Sequence, residues 1–316
     1  MTVLAADRTD THLALFSAPA FHALNLAPGE RHVRVDHQVD GRLLGSLCGR
    51  LDRATGRLVC GASAPFGGLD LTPAASTSPT ALAPLIDDLV TQLHDHHGVR
   101  RLEVRARPAA HGAQHAALET ALLAAGFTVA HTAVNQHIDL ETTTHPEDHL
   151  AALPKKRRWA LRRDLEAGYA HVEVAGSEAW HTVHAIVDGA RLAKVRPPWL
   201  APAYLDRLRT AFPGRIHGRL LHLDGQPLAA AVVYAVASGV ELLAAWGDAG
   251  PGAGGRSPMN LLAHHLVADA LARGSRVLDL GISSEPDGTP NTGLIHFKRS
   301  VGAQTGHRLT LTKDLP

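Results

Sequence analysis

The sequence predicts an α/β protein with mixed sheets, built as two similar domains. Three observations carry that prediction. Strand meanders turned by Asp-Gly pairs occur in both halves, at Asp40-Gly41 and Asp224-Gly225, and such pairs mark tight hairpins. Each meander leads to a helix opened by Ser-Pro, at Ser78-Pro79 and Ser257-Pro258. The whole order of elements then recurs at an offset of about 176 residues.

Taken in order, residues 11–25 read as helical or irregular, and 31–37 alternate as a strand. Residues 43–51 and 57–62 continue the meander. A helix over about 80–97 carries Leu82, Leu85, Ile86, Leu89, Val90 and Leu93 at helical spacing, and Gly98 ends it. Residues 101–105 form a strand, 113–125 a helix, and 127–140 a closing strand pair. The second half repeats this: strands at 219–223, 228–236 and 240–246, a helix at about 259–273, and a strand at 276–280. A loop and a helical turn carrying Phe297 and Lys298 follow. Gly98 to Val104 aligns with Gly274 to Leu280, Ala125-Gly126-Phe127 with Val301-Gly302-Ala303, and Asp139-Leu140 with Asp314-Leu315. A repeat this long means two domains rather than a solenoid. Hairpins mixed with helices mean mixed sheets. The expected domains are 1–150 and 151–316.

The stretch 141–216 belongs to neither copy. Pro154 fits a first helical turn, and Gly168 ends that helix. Residues 171–174 read as a strand. Ser177 is expected to cap a helix over 177–193, with Trp180, Val183, Ile186 and Val187 on its apolar side. A last helix runs over about 202–212.

Composition narrows the classes. The chain has 316 residues, a net charge of +1 and 45% hydrophobic residues, enough for two cores and too little charge for a global pull on nucleic acid. No apolar run approaches the ~20 residues that span a bilayer. Residues 1–8 lack the basic start and apolar core of a signal peptide, so the protein is expected to be cytoplasmic. Cys48 and Cys60 flank a turn between adjacent strands and are expected to be reduced core thiols. The 22 histidines include His94-Asp95-His96-His97 and His264-His265, whose spacing matches no zinc pattern; no metal is expected.

The chemistry-bearing residues cluster late in the chain. Lys298 follows a Gly/Pro-broken loop, a feature of functional loops in compact domains. At the repeat offset it falls on Leu122, and the first copy is read as lacking the long loop as well. Lys298 is either an exposed helix lysine or a group that stabilises an oxyanion, neutralises a leaving phosphate or shuttles a proton. Asp279 sits in an otherwise apolar strand, as a buried carboxylate near the site or a structural residue like Glu103 in the first copy. Residues 155–163 hold six cations in nine positions with Trp159 among them. They form either a solvated basic face or a surface for phosphates or tRNA. The loop at 250–256, ending in Arg256 ahead of a helix, is either a plain connection or a pyrophosphate cradle.

These motifs together resemble the Fem-type branch of the GNAT superfamily. The resemblance rests on the basic helix ending in Gly168, the helical insertion, the Ser-Pro helix, Leu278-Asp279-Leu280-Gly281, and Asn291-x-Gly293-Leu294-x-x-Phe297-Lys298-x-x-x-Gly302-Ala303. It covers roughly residues 30–316. These are tandem GNAT-fold proteins, among them aminoacyl-tRNA-dependent peptidyltransferases of cell-wall and natural-product synthesis and related N-acyltransferases. The resemblance implies two GNAT-like domains forming a cleft; the repeat puts the lysine in the second alone. It implicates Phe297 and Lys298 in catalysis, and Arg158, Arg162 and Arg163 in contact with phosphate or tRNA. Asp279, Asn291 and Gly293 are expected to position the loop, and Trp246 and Arg256 to contact substrate. The sequence lacks a long coiled-coil arm, which puts murein or lipid-linked acceptors in doubt and favours a small-molecule or peptide amine.

The expected activity is transfer of an acyl group to an amine, with no tightly bound cofactor. Aminoacyl-tRNA is the favoured donor and acyl-CoA the alternative. A catalytically degenerate GNAT-fold binding or self-resistance protein is the non-enzymatic alternative.

Overall fold

The structure, a computed structural model, describes residues 12–316; residues 1–8, read above for a signal peptide, lie outside them. The chain divides into two compact units. One holds the residues up to Val134 with 286–289 and 306–316, the other 135–285 with 290–305.

The first unit opens with α1 (Pro19–Asn25) and the meander β1 (Glu30–Val39), β2 (Arg42–Asp52) and β3 (Arg57–Cys60). Asp40 and Gly41 take φ of 50° and 75°, the left-handed pair that a two-residue hairpin requires. A short β4 (Leu69–Leu71), absent from the sequence reading, pairs with β2. Helix α2 (Pro79–His97) buries Leu82, Leu85, Ile86, Leu89 and Leu93. β5 (Arg101–Arg105) lies parallel to β3, Arg57 opposite Arg101, and α3 (Ala113–Ala124) follows. The fifth partner in this order is the end of the chain: Thr310 pairs antiparallel with Arg105 and Asp314 with Arg101. Cys48 and Cys60 are buried free thiols, and burial raises the pKa of both.

The expected closing pair at 127–140 is one strand, β6 (Thr128–Asp139). An unforeseen helix α4 (Pro146–Ala152) follows, then α5 (Lys155–Leu165) and β7 (Ala170–Glu173). Helix α6 (Gly176–Leu192) starts one residue before Ser177. Its N-cap is Ala175, with no side-chain cap bond, so the expected Ser177 cap is not formed. The predicted apolar residues Trp180, Val183, Ile186 and Val187 are buried. Beyond α7 (Pro202–Ala211) comes the second meander, β8 (Ile216–Leu223), β9 (Gln226–Ala237) and β10 (Val240–Asp248). Then come α8 (Met259–Ala272), β11 (Val277–Ile282), α9 (Thr292–Ser300) and β12 (Gln304–Asp314). In the second unit β11 lies parallel to β10 and antiparallel to β6, with Val277 opposite Val240 and Asp139.

The repeat is therefore structural. Each copy is a meander, a helix, a strand parallel to the meander's last strand, and a second helix. The partner that completes each order is the closing strand of the other copy: β12 on β5, and β6 on β11. The loops after the parallel strands are nearly equal, seven residues at 106–112 and nine at 283–291. The first copy does not lack the loop, contrary to the sequence reading; the copies differ in the chemistry of its flanks.

Candidate active site

β11 pairs with β10 only over Val277–Asp279 and Val240–Leu242, although β10 runs on to Asp248. Just past that point the β9–β10 register shifts, between Leu243 and Ala245. Asp279 ends the parallel ladder, 1% exposed. Its Oδ1 accepts from Asn135 Nδ2 at 2.9 Å and from the Gly281 amide at 2.7 Å. Gly281 turns the chain with φ 74°, a conformation that disfavours any Cβ.

That turn presents two carbonyls to one lysine. Lys298 Nζ donates to Gly281 O at 2.9 Å and to Ile282 O at 3.0 Å. Lys298 is 2% exposed. Burial lowers its pKa to about 7, opposed by the charge of Asp279. An ammonium has three N–H donors, and these carbonyls take two.

Helix α9 is set by its N-cap. Asn291 Oδ1 accepts from the Leu294 amide at 2.8 Å, and its Nδ2 donates to Glu285 Oε1 at 2.6 Å. Arg196 Nη2 donates to the same oxygen at 2.8 Å. The loop closes on itself through Asn291 N to Ser283 O at 2.8 Å. Ser283 Oγ donates to Gln136 Oε1 at 2.7 Å, and Gln136 Nε2 to Ile295 O at 3.1 Å. Phe297 and Trp246 are half-buried, with ring centroids 5.4 Å apart. Gly293 is exposed in the first turn of α9, where a Cβ would meet only Asn291 Oδ1 at 3.7 Å; no neighbouring residue requires a glycine there.

The basic helix and the Gly-rich loop, read separately in the sequence, are joined. Arg256 Nε donates to the buried Asp164 of α5 at 2.6 Å, and Tyr169 Oη accepts from the Ala253 amide at 2.6 Å. The Gly252, Gly255 and Arg256 amides donate within the loop. On α5, Arg158 donates to Ala151 O at 2.5 Å. Arg162 and Arg163 are exposed, and Arg163 stacks over Trp159, which is 59% exposed. Arg158, Arg162, Arg163 and Arg256 thus lie on one part of the second unit, whereas Lys298, Asp279, Asn291, Phe297 and Trp246 gather around β11 and α9.

Residues 149–299 match the family model described as an acetyltransferase (GNAT) domain. Among solved structures, FemX superposes with a TM-score of 0.71 at 12% identity, over 97% of this chain and 94% of that one. The chain has a Fem-like GNAT fold.

Two further structures are similar in fold. One is the C-terminal domain of a protein from Agrobacterium fabrum assigned as a lysylphosphatidylglycerol synthetase: TM-score 0.53, 14% identity, 90% of this chain and 84% of that one. The other is L-PGS from Bacillus licheniformis: TM-score 0.51, 12% identity, 90% and 83%. At these identities the likeness is one of fold. No curated protein matches the chain significantly. Among the described residues, no group of three or more His, Cys, Asp or Glu is placed to hold a metal ion. No helix among them is long and apolar enough to cross a membrane.

Several residues of this site were missed by sequence reasoning. Asn135 and Gln136 bond Asp279, Ser283 and Ile295 across more than 140 positions. Their signal was two adjacent amides inside an otherwise alternating strand. Glu285 and Arg196 had no signal, since one charged pair in two loops is unremarkable in a sequence.

Proposed function

We propose that the second unit is the catalytic site of an N-acyltransferase, and that the acyl group is an aminoacyl group carried by tRNA. The observation that carries the proposal is the buried Lys298, held by two carbonyls where β11 turns away from β10, in a segment matching a GNAT domain. The acceptor amine attacks the ester carbonyl, and a C–N bond forms as the carbonyl oxygen takes the negative charge. The C–O bond to the tRNA ribose then breaks, and the amine's proton leaves with that oxygen. Lys298 directs its third N–H to the developing oxyanion, in a dry site where such a bond is strong. With a pKa near 7, it also relays that proton, giving its own to the leaving oxygen and taking the amine's in return. Phe297 and Trp246 form the wall against which the acyl group lies. Asp279 and Asn291 hold the turn and the helix.

The tRNA donor is supported by the exposed cations of α5 and by Trp159, whose exposed ring suits base stacking. Acyl-CoA is the second reading. It is favoured by the β10–β11 ladder stopping at Leu242 and Asp279 while β10 runs on to Asp248, an edge on which an extended donor arm can lie. The acceptor is a small-molecule or peptide amine in either reading. To test the proposal, the protein is incubated with charged tRNA or with acyl-CoA and a panel of amines. RNase-sensitive amide formation supports tRNA; turnover with acyl-CoA alone overturns it.

A further inference from the structure

We infer that His149 is a positioning residue for Lys298, gripping the C-terminal end of the helix that carries it; the inference rests on the site proposed above. His149 belongs to α4, which no sequence signal tied to the site. It is 6% exposed, and its Nε2 lies 2.9 Å from Val301 O, just past the end of α9. The Val301 and Ala303 amides both donate to Lys298 O, at 3.2 and 3.0 Å. The imidazole therefore holds the Val301–Gly302 peptide, which lies between the two amides that close on the lysine's own backbone.

Two further observations support a built contact. Gly302 has φ 97°, and a Cβ there would stand 2.8 Å from His149 Nε2. A side chain at 302 and the ring of His149 exclude each other. The second is a partner that fixes the tautomer. To donate to Val301 O, His149 carries its hydrogen on Nε2, leaving Nδ1 as an acceptor. His264 Nδ1 of α8 stands 3.4 Å from that Nδ1, with the two rings edge to edge, 19° from parallel and their centroids 5.7 Å apart. Burial lowers the pKa of both rings, that of His264 to about 4, so both are neutral at pH 7. A neutral His264 with its hydrogen on Nδ1 completes a chain of donors from His264 through His149 to Val301 O.

Helix α4 is a firm base for this grip. Asp148 Oδ2 accepts from the His145 and Thr144 amides at 3.0 and 3.1 Å. Leu153, just beyond α4, is buried in the same core as Val301. Losing the bond leaves Val301 O buried without its partner and the last turn of α9 free to shift. A displacement of about 1 Å at a catalytic group costs up to about a hundredfold in rate.

The test uses the full chain as wild type, His149→Leu and His149→Gln. A glutamine amide reaches where Nε2 does and donates to the same carbonyl. His149→Leu is expected to speed hydrogen exchange of the Ala303 amide about tenfold and to lower kcat about tenfold with the donor KM unchanged, while His149→Gln stays within about threefold of wild type in both. Unchanged Ala303 exchange in His149→Leu, or a glutamine variant as impaired as the leucine one, overturns the inference. Should His149→Leu not fold, His264→Phe keeps an aromatic ring but removes the donor to Nδ1. A rise in Ala303 exchange there supports the grip, and wild-type exchange overturns it. Absence of acyl transfer by the wild-type protein would count against the proposed function instead, and the exchange readout would still judge His149.

Discussion

The two copies of the repeat place different chemistry at one position. In the first, Leu122 of α3 is buried at 2% exposure in an apolar cluster with Leu102, Leu118 and Phe127. In the second, the position at the same offset is Lys298, equally buried. Glu103 and Asp279 differ likewise. Glu103 is ion-paired with Arg57 and with Arg105, the latter at 3.5 Å. Asp279 is bonded to Asn135 and to the turn at Gly281. One copy solves the position as a core and the other as a polar pocket around an amine. A buried amine weakens a fold unless something uses it.

The comparison breaks most visibly if Leu122 is made a lysine. Leu122→Lys buries an amine in the apolar cluster. We expect a loss of about 3 kcal/mol, read as a lower urea midpoint at pH 7. An unchanged midpoint would show that the first copy tolerates a charge as well as the second. Truncating the two carboxylates sharpens the contrast. Asp279→Ala removes the acceptor of the buried Asn135 and the half-buried Gly281 amide and should cost about 1–3 kcal/mol. Glu103→Ala removes a pair whose Arg57 partner is half exposed and should cost under about 1 kcal/mol. Equal losses in chemical denaturation would erase the distinction.

The pH dependence of stability separates the copies more gently. The folded pKa of Lys298, about 7, lies below the ordinary 10.5, so the unfolded chain binds more protons between these values and stability rises with pH across that window. Lys298→Met removes this slope, and its stability relative to wild type is expected to be greatest at pH 7 and to shrink toward pH 10. Parallel curves would contradict the buried amine. On the acid side, His264 and His265 are lowered to about 4 by burial. Each is neutral when folded, so stability present above pH 6.5 is lost as pH falls toward 4. His265→Phe, which keeps a ring stacked on His171, should flatten part of that loss in urea midpoints measured from pH 7 to 4.

Most of the fold was legible because its turns and helix ends have local causes. Asp40-Gly41 and Asp224-Gly225 take the φ values that their hairpins require, and Gly98, with φ 67°, ends α2. Lys298 was legible as a difference between the copies, Asp279 as a lone carboxylate in an apolar strand, and Asn291 through the resemblance motif. What was hidden depends on distant partners. The grip of His149 on Val301 spans 152 positions. The Arg256–Asp164 bond ties two motifs that look independent along the chain. The exchange of closing strands leaves no mark, since a strand's pattern does not name the sheet it joins. The Ser177 cap failed because the helix begins at Gly176, one residue before it.

The measurement that tests the account most directly is the acyl-transfer rate of Lys298→Met beside that of Leu122→Met, with charged tRNA and a responsive amine. The account predicts that Lys298→Met loses about a hundredfold to a thousandfold in kcat, while Leu122→Met, a swap of similar volume, stays within about threefold. Wild-type turnover by Lys298→Met, or an equal fall in both variants, would contradict it.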